Sequence, residues 1–381
     1  MSSLLVLGFF MTAVDATLAA EGPLLNAEDW QFLKEITAAV VEASRVHPDE
    51  KVGAIGPNIT GGTLIRPGGR NSYPAFWIRD YAMSLDSGLV APDEQRHMLL
   101  LTAAHQQDTE WRLANGSVVP PGSVPDHVSF GNKPIFYPGT LEDYEGQGGP
   151  RWGILPSLDD AYFFIEMAHH YAAQTNDRAI VAKDVRGKPL LQRLEEAYRM
   201  PPSRPDTGLV YADDSNRGVT FGFVDTIFHT GDLLFCSLLK FQAAQQLAEL
   251  LEGAGRAADA ARYREDAARI RSAIENTFAL ESGFYRASTG LSGQPDVWGT
   301  AYGVYIGAFG PERTQAACEA LAKAYRSGTL AWRGNIRHVL TSDDFSATTA
   351  WEETDVKKNR YQNGAYWGTP TGWICYAVAK A

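Results

Sequence analysis

An arginine followed directly by an aspartate, Arg79-Asp80, comes two residues after Trp77, at the end of an aromatic stretch. A guanidinium group donates in a rigid fork and a carboxylate accepts, so together they could hold two neighbouring hydroxyl groups while the indole offers a flat apolar face. That combination suits a sugar ring. An aspartate is also favoured at the start of a helix by capping and by the helix dipole. The residues alone leave both interpretations open.

Further carboxyl groups stand beside aromatic residues at predicted helix starts. Asp159 and Asp160 open one predicted helix, and Asp296 lies two residues before Trp298 at the start of another. Capping explains each of these residues individually. Their recurrence at every second helix start, together with Asp80 and Asp225, predicts that they line one shared mouth.

Asp225 is the acidic residue with the most apolar surroundings. It follows Val224, precedes Ile227, and has three phenylalanines close by in the sequence. An apolar environment raises the pKa of a carboxyl group, as a general acid working near neutral pH requires. The alternative interpretation is an N-cap for a helix that begins at Thr226.

Two sequence elements resemble those of the six-hairpin (α/α)6-barrel glycosidases, the superfamily of glucoamylases, trehalases and processing glucosidases. The stretch from Phe76 to Asp80 is similar to their FPWxRD-type element, whose Arg-Asp pair binds a sugar. The stretch from Tyr361 to Trp367 is similar to the YQNG-x-W element of debranching and phosphorylase relatives. These similarities occur as short islands between about residues 61 and 373.

The resemblance implies an all-α fold, an (α/α)6-type barrel of helical hairpins with long loops at one end. It also implies hydrolysis of an oligosaccharide or small glycoside with inversion at the anomeric carbon. In this mechanism Asp225 would be the general acid, near the entry of the sixth helix. Trp351-Glu352-Glu353 resembles the base element, which makes Glu352 the first choice for the base and Glu353 the second. An acidic pair at a helix start is the alternative for these two. Two such carboxyl groups should lie roughly 6.5–9.5 Å apart. The residues expected to contact substrate are Trp77, Arg79, Asp80, Asp159, Asp160, Asp296, Trp298, Trp351, Tyr361, Gln362, Asn363 and Trp367.

Two other functions remain as alternatives. A chain that keeps the aromatic mouth without a base would be a non-catalytic carbohydrate-binding protein or an inactive barrel fragment. Sugar epimerases on related barrels use two histidines as acid and base, and His229 with His338 could supply such a pair.

Hydrophobic periodicity supports a helical fold. It predicts ten helices, at residues 26–47, 79–89, 93–111, 160–175, 190–200, 226–251, 256–278, 299–308, 311–327 and 365–380, with no alternating strand series. A complete barrel of six hairpins needs twelve helices, so we expect either two further short helices or a barrel that lacks its last hairpin and with it the base.

The remainder of the chain predicts one domain, residues 21–381, preceded by a signal peptide at 1–20. An apolar stretch from Leu4 to Val14 is followed by a small-residue run, which is typical of export although no basic residue precedes it. We therefore expect a secreted or periplasmic protein, with the cytoplasm as the alternative. No other stretch is long and apolar enough to span a bilayer.

The composition of the chain limits which classes of partner it can bind. The net charge of −11 across 381 residues disfavours nucleic acid, because an acidic surface repels phosphates. The three cysteines are scattered and show no metal-ligand spacing, so we expect neither a metal nor a cofactor. The sequence leaves the oligomeric state open. The expected partner is a carbohydrate.

Overall fold

A computed structural model describes residues 26–68, 73–112, 116–136, 154–218 and 226–381. In this part of the chain the protein is mainly helical, as predicted. The helices are α1 (Ala27–Ser44), α2 (Ile78–Ser84), α3 (Pro92–His105), α4 (Asp160–Thr175), α5 (Leu190–Arg199), α6 (Leu234–Gly253), α7 (Ala257–Phe278), α8 (Val297–Tyr305), α9 (Pro311–Arg326) and α10 (Thr371–Lys380). None of the described helices is long and apolar enough to cross a membrane.

Short strands of two or three residues connect the helices. They are β1 (Arg45–Val46), β2 (Leu64–Ile65), β3 (Ala75–Trp77), β4 (Trp111–Arg112), β5 (Val118–Val119), β6 (His127–Ser129), β7 (Pro134–Ile135), β8 (Asp184–Val185), β9 (Lys188–Pro189), β10 (Tyr211–Ala212), β11 (Gly231–Asp232), β12 (Tyr285–Arg286), β13 (Pro295–Asp296), β14 (Ala331–Trp332), β15 (Asn335–Arg337) and β16 (Tyr366–Trp367). Two three-stranded antiparallel sheets, β3-β6-β7 and β14-β15-β16, are the largest among the described residues.

The helices form two layers. The even-numbered helices α2, α4, α6, α8 and α10 pack on one another in chain order, and most odd-numbered helices pack outside them against their sequence neighbours. Helix α6 is apolar on all sides and almost entirely buried, as an inner helix must be. Helix α7 buries a single stripe, from Tyr263 to Phe278, against α6. Closure of these layers into a six-hairpin ring stays a prediction.

The even-numbered helices begin at the same end of the molecule, because each odd-numbered helix returns the chain. Arg79 at the start of α2 contacts Asp159, directly before α4. Similarly, Leu234 at the start of α6 donates its backbone N–H to the carbonyl of Ala287 in the segment that leads to α8. These contacts bring the start of α2 to that of α4 and the start of α6 to the segment before α8, and a mouth common to all of them stays a prediction.

Two predicted helices begin later than expected. The helix predicted from Thr226 starts at Leu234, because the intervening residues pair elsewhere: Ile227 bridges Thr354, and Gly231 lies in β11. Gly231 has a left-handed φ of 77°, and a Cβ there would collide with Thr289. The helix predicted from Ala365 starts at Thr371, since Tyr366 and its neighbour belong to β16.

Two helical glycines offer a matched test of the packing. A Cβ at Gly303 in α8 would overlap the buried Phe309 ring, whereas one at Gly372 in α10 would meet nothing within 4 Å. We expect Gly303→Ala to lower the free energy of unfolding by about 2 kcal/mol through overpacking. Gly372→Ala should raise it by about 0.5 kcal/mol through helix propensity. Urea denaturation of the two variants measures both effects, and equal changes would contradict the packing of α8.

Candidate functional site

The centre of the site is the buried guanidinium of Arg79, which binds three aspartates. Its Nη1 donates to Asp126 at 2.7 Å, and its Nε and Nη2 form a fork with Asp159 at 3.0 and 3.1 Å. Nη2 also donates to the carboxylate of Asp160 at 3.3 Å. The side chains of all four residues are nearly inaccessible to solvent. Arg79 is therefore occupied by protein carboxylates, and the simple capping interpretation does not describe Asp159, whose side chain makes no cap.

The sheet β3-β6-β7 builds one wall of this cluster. Its register pairs Trp77 with His127, and the two rings stack with centroids 4.0 Å apart. The Nδ1 of His127 lies 2.7 Å from the second carboxylate oxygen of Asp126. The half-buried Trp77 is thus fixed directly beside the Arg79 cluster.

The cluster holds its carboxyl groups in different protonation states. Burial alone would raise the pKa of Asp126, but the Arg79 charge and the His127 contact outweigh burial and hold that pKa well below the usual range. The pKa of Asp160 lies well above its usual value, because burial and the negative charges of Asp159 and Asp126 together exceed the effect of Arg79. Asp160 therefore takes up a proton more readily than Asp126 does.

Asp80 stands at the edge of the cluster and is half-buried. Burial raises its pKa to about 6, Arg79 opposes that change, and the charge of Asp126 adds to it. A carboxyl group with this pKa exchanges a proton near neutral pH and can both donate and accept hydrogen bonds.

Trp298, Trp351, His229 and His338 form a second buried cluster, here called the floor. Trp298 is fully buried and stacks on His338 with centroids 3.4 Å apart. Trp351, also fully buried, has the His229 ring at 5.4 Å and the His338 ring at 6.0 Å. The two predicted tryptophans thus lie together with both histidines of the epimerase alternative.

Both floor histidines are neutral. Burial lowers the pKa of His229 to about 4. The pKa of His338 is lowered further by burial and by its proximity to His229 and Arg337. Neither ring nitrogen of His338 has a hydrogen-bond partner among the described residues. An unpaired buried polar atom is unfavourable by about 1–3 kcal/mol, so this imidazole is ready to bond to a hydroxyl group.

Asp296 caps α8, since its carboxylate accepts from the backbone N–H of Gly299 at 2.9 Å. Burial nevertheless raises its pKa to about 6, against the backbone hydrogen bonds from Gly299 and Trp298 that lower it. The capping interpretation therefore holds for Asp296, and substrate contact by this residue stays a prediction.

The predicted bases are exposed. The carboxylate of Glu352 accepts from the backbone N–H of Ser292 at 2.8 Å, which joins two of the long loops. The neighbouring Glu353 is exposed as well, and its backbone carbonyl accepts from Phe228 N–H at 3.1 Å. Both residues directly follow the buried Trp351 in the chain, and the side chain of Glu352 is held by a neighbouring loop.

The predicted acid, Asp225, lies outside the described residues. The residues that follow it are described, and Thr226 to Phe228 pair antiparallel with the segment from Glu353 to Asp355. Helix α6 begins only at Leu234, so Asp225 is not its N-cap. The chain directly after the acid candidate therefore runs alongside the chain that carries the base candidates.

Gln362 and Asn363 are fully buried and engage the backbone of these same loops. The side-chain amide oxygen of Gln362 accepts from both the backbone N–H and the hydroxyl of Thr226, at 2.7 and 2.6 Å. Asn363 accepts from Ala350 N–H and donates to the Val356 carbonyl, each at 2.7 Å. Both side chains hold loops in place, and a contact with substrate stays untested.

Tyr361 and Trp367 flank the mouth on its outer side. Their rings are 5.2 Å apart, and Trp367 lies 6.0 Å from the buried Trp298. Tyr361 is exposed and Trp367 is half-buried. Of the predicted aromatic contacts, these two and Trp77 are accessible from outside.

Asp126 is the principal site residue that sequence reasoning missed. It precedes β6 in a long loop, and only the pairing of β6 with β3 brings it to Arg79. A carboxylate beside a histidine in that loop was the available signal. No cluster of three or more metal-ligating side chains occurs among the described residues.

No protein-family model matches the chain, and no curated protein matches it. A solved structure of the rhamnosidase from Klebsiella oxytoca with rhamnose bound is similar over 66% of this chain and 42% of its own, with 16% identity and a TM-score of 0.47. The native α-L-rhamnosidase from Aspergillus terreus is similar over 68% of this chain and 26% of its own, with 14% identity and a TM-score of 0.45. This chain spans less than half of either structure. At these scores neither structure determines the fold or the activity of this protein.

Replacing Arg79 tests the cluster. We expect Arg79→Lys to lower the free energy of unfolding by about 3 kcal/mol, because one ammonium group cannot reach three buried carboxylates. The control is Arg204→Lys, which weakens the more exposed pair between Arg204 and Asp232 and should change stability by less than about 1 kcal/mol. Similar losses in the two variants, measured by chemical denaturation, would refute the cluster.

The raised pKa of Asp296 predicts a pH-dependent stability. Ionising this buried group destabilises the fold increasingly as pH rises from its ordinary pKa of 3.8 to about 6, and the full effect persists above that. Asp296→Asn keeps a capping oxygen without the charge. The variant should exceed the parent in free energy of unfolding by about 3 kcal/mol at about pH 7.5, and the difference should vanish near pH 4. Urea denaturation at the two pH values measures this, and a pH-independent difference would contradict it.

Proposed function

We propose that this protein is a glycoside hydrolase that cleaves an oligosaccharide or small glycoside with inversion, using two carboxyl groups. The observation that carries the proposal is the pairing of Thr226–Phe228 with Glu353–Asp355, because it runs the segments of the two candidate carboxyl groups side by side. Hydrolysis with inversion needs an acid and a base on opposite sides of the scissile bond.

In the proposed reaction, Asp225 gives its proton to the leaving oxygen as the bond from that oxygen to the anomeric carbon breaks. Glu352 takes a proton from a water molecule, whose oxygen attacks the anomeric carbon from the opposite face. One water is consumed, and both carboxyl groups regain their starting states by exchange with solvent. The backbone N–H of Ser292 donates to the Glu352 carboxylate and holds it in place.

The sugar-binding part of the proposal depends on the cluster around Arg79. Since Arg79 is engaged by three buried aspartates, its role is to fix these carboxyl groups in place beside Asp80 and Trp77. Asp80, half-buried and able to donate or accept, is the cluster's most accessible partner for a sugar hydroxyl. Trp77 beside it supplies an apolar face for the ring.

A second candidate function is sugar epimerisation. His338, with both nitrogens unpaired among the described residues, lies beside a second neutral histidine, His229. Two neutral imidazoles can remove a proton from a sugar carbon and return one to its opposite face. Hydrolysis is favoured because the segments that follow the acid and base candidates pair with each other, and because the low pKa of His229 makes it a weak base.

One experiment separates the candidates. The purified chain is incubated in D2O with a panel of glycosides and of free reducing sugars, and NMR follows both. Hydrolysis with inversion releases a sugar whose first anomer is opposite to that of the substrate, whereas epimerisation incorporates deuterium on carbon. We expect Asp225→Asn and Glu352→Gln each to reduce hydrolysis at least a hundredfold, the scale of general acid or base catalysis.

The control is Glu312→Gln, which removes an exposed carboxylate on the outer helix α9 and should leave the rate unchanged. If Glu353→Gln abolishes activity and Glu352→Gln does not, the base is Glu353. Saturable sugar binding with neither reaction would instead establish a non-catalytic carbohydrate-binding protein and refute the proposed hydrolysis.

A further inference from the structure

Tyr361 adopts a backbone conformation that a bulky residue rarely adopts. Its φ is 45°, in the left-handed region, where the backbone of any residue other than glycine is strained. The turn is held by hydrogen bonds from Asn359 N–H to the Asn363 carbonyl at 2.6 Å and from Ala365 N–H to the Tyr361 carbonyl at 3.3 Å. Strain of this kind persists where the surroundings enforce it, and it is concentrated at functional sites.

The strained turn presents an aromatic ring to solvent. Tyr361 is 44% exposed, although burial would be the usual position for so large a ring. The Nε1 of Trp367 donates to the Tyr361 carbonyl at 3.2 Å, which fixes the two residues relative to each other. Since Trp367 lies against Trp298, a continuous series of rings leads from the buried floor to the surface.

The sheet β14-β15-β16 gives this series a defined face. Trp367 pairs with Ile336, whereas Trp332 pairs with Asn335. Directly paired residues share a face of the sheet, and consecutive residues alternate. Trp332 therefore lies on the face opposite to Trp367, although it is 56% exposed and equally aromatic.

We propose that Tyr361 and Trp367 form an outer platform that stacks on the second pyranose ring of an oligosaccharide, next to the sugar that the proposed reaction releases. The apolar C–H face of a pyranose packs on aromatic rings, and the platform is joined to the floor by the contact between Trp367 and Trp298. This inference rests on the proposed function and narrows its substrate from any glycoside to a chain of two or more sugars.

Binding measurements test the platform without requiring turnover. In the Asp225→Asn background, a panel of mono-, di- and trisaccharides is screened, and the tightest disaccharide is titrated calorimetrically beside its matching methyl monoglycoside. Tyr361→Gly should weaken the disaccharide about three- to tenfold, the scale of one aromatic contact. It should leave the monoglycoside unchanged. Trp332→Ala, on the opposite face, should change neither affinity.

Tyr361→Gly also separates binding from folding, because glycine relaxes the left-handed turn. We expect its melting temperature to stay within about 2 °C of the parent, since the relaxed turn offsets the greater freedom of the unfolded glycine chain. Unchanged disaccharide affinity, equal weakening of both sugars, equal effects of Trp332→Ala, or no saccharide binding at all would each overturn the platform. Tyr361-dependent binding, together with no hydrolysis by the parent chain, would support the platform and refute only the proposed reaction.

Discussion

The site depends on the burial of a single cation. Arg79 is the second residue of the short helix α2. Its guanidinium forms ion pairs with one aspartate from the loop before β6 and with two aspartates at the start of α4. A guanidinium group can serve three carboxylates because its five donors point in fixed directions. Without it, the desolvation of three carboxylates would prevent these segments from meeting. One side chain therefore joins the first two inner helices at the end where the mouth forms.

This cluster also explains how the mouth divides its chemistry. Near Arg79 the groups are carboxyls whose pKa values spread in both directions, since each feels burial and the shared cation differently. In the floor, burial leaves His229 and His338 neutral among fully buried tryptophans. The first cluster therefore contains groups that can exchange protons, whereas the second packs neutral imidazoles against apolar rings.

The sequence predicts the helices better than the site. Helix α4 has the predicted bounds and α7 begins one residue later than predicted, because apolar periodicity is strong in both. The segment from Thr226 to Leu233 reads as helical from its residues, yet its backbone pairs with a loop more than a hundred residues further along the chain. Likewise, the sequence predicts Gln362 only as a sugar ligand and gives no sign that its amide oxygen binds Thr226. Local propensity carries no information about such distant pairing, so the loops that build the mouth required the structure.

The loop contacts suggest why polar residues are so frequent around this mouth. A long loop without regular structure leaves backbone groups unpaired, and buried groups must find partners. Gln362 and Asn363 bind the backbone at Thr226, Ala350 and Val356, while the Glu352 carboxylate binds the N–H of Ser292. The side chains that make the loops rigid are thus also the ones that set the distance between the candidate acid and base segments. Rigidity of the loops and geometry of the site then come from the same hydrogen bonds, so a change that loosens one must displace the other.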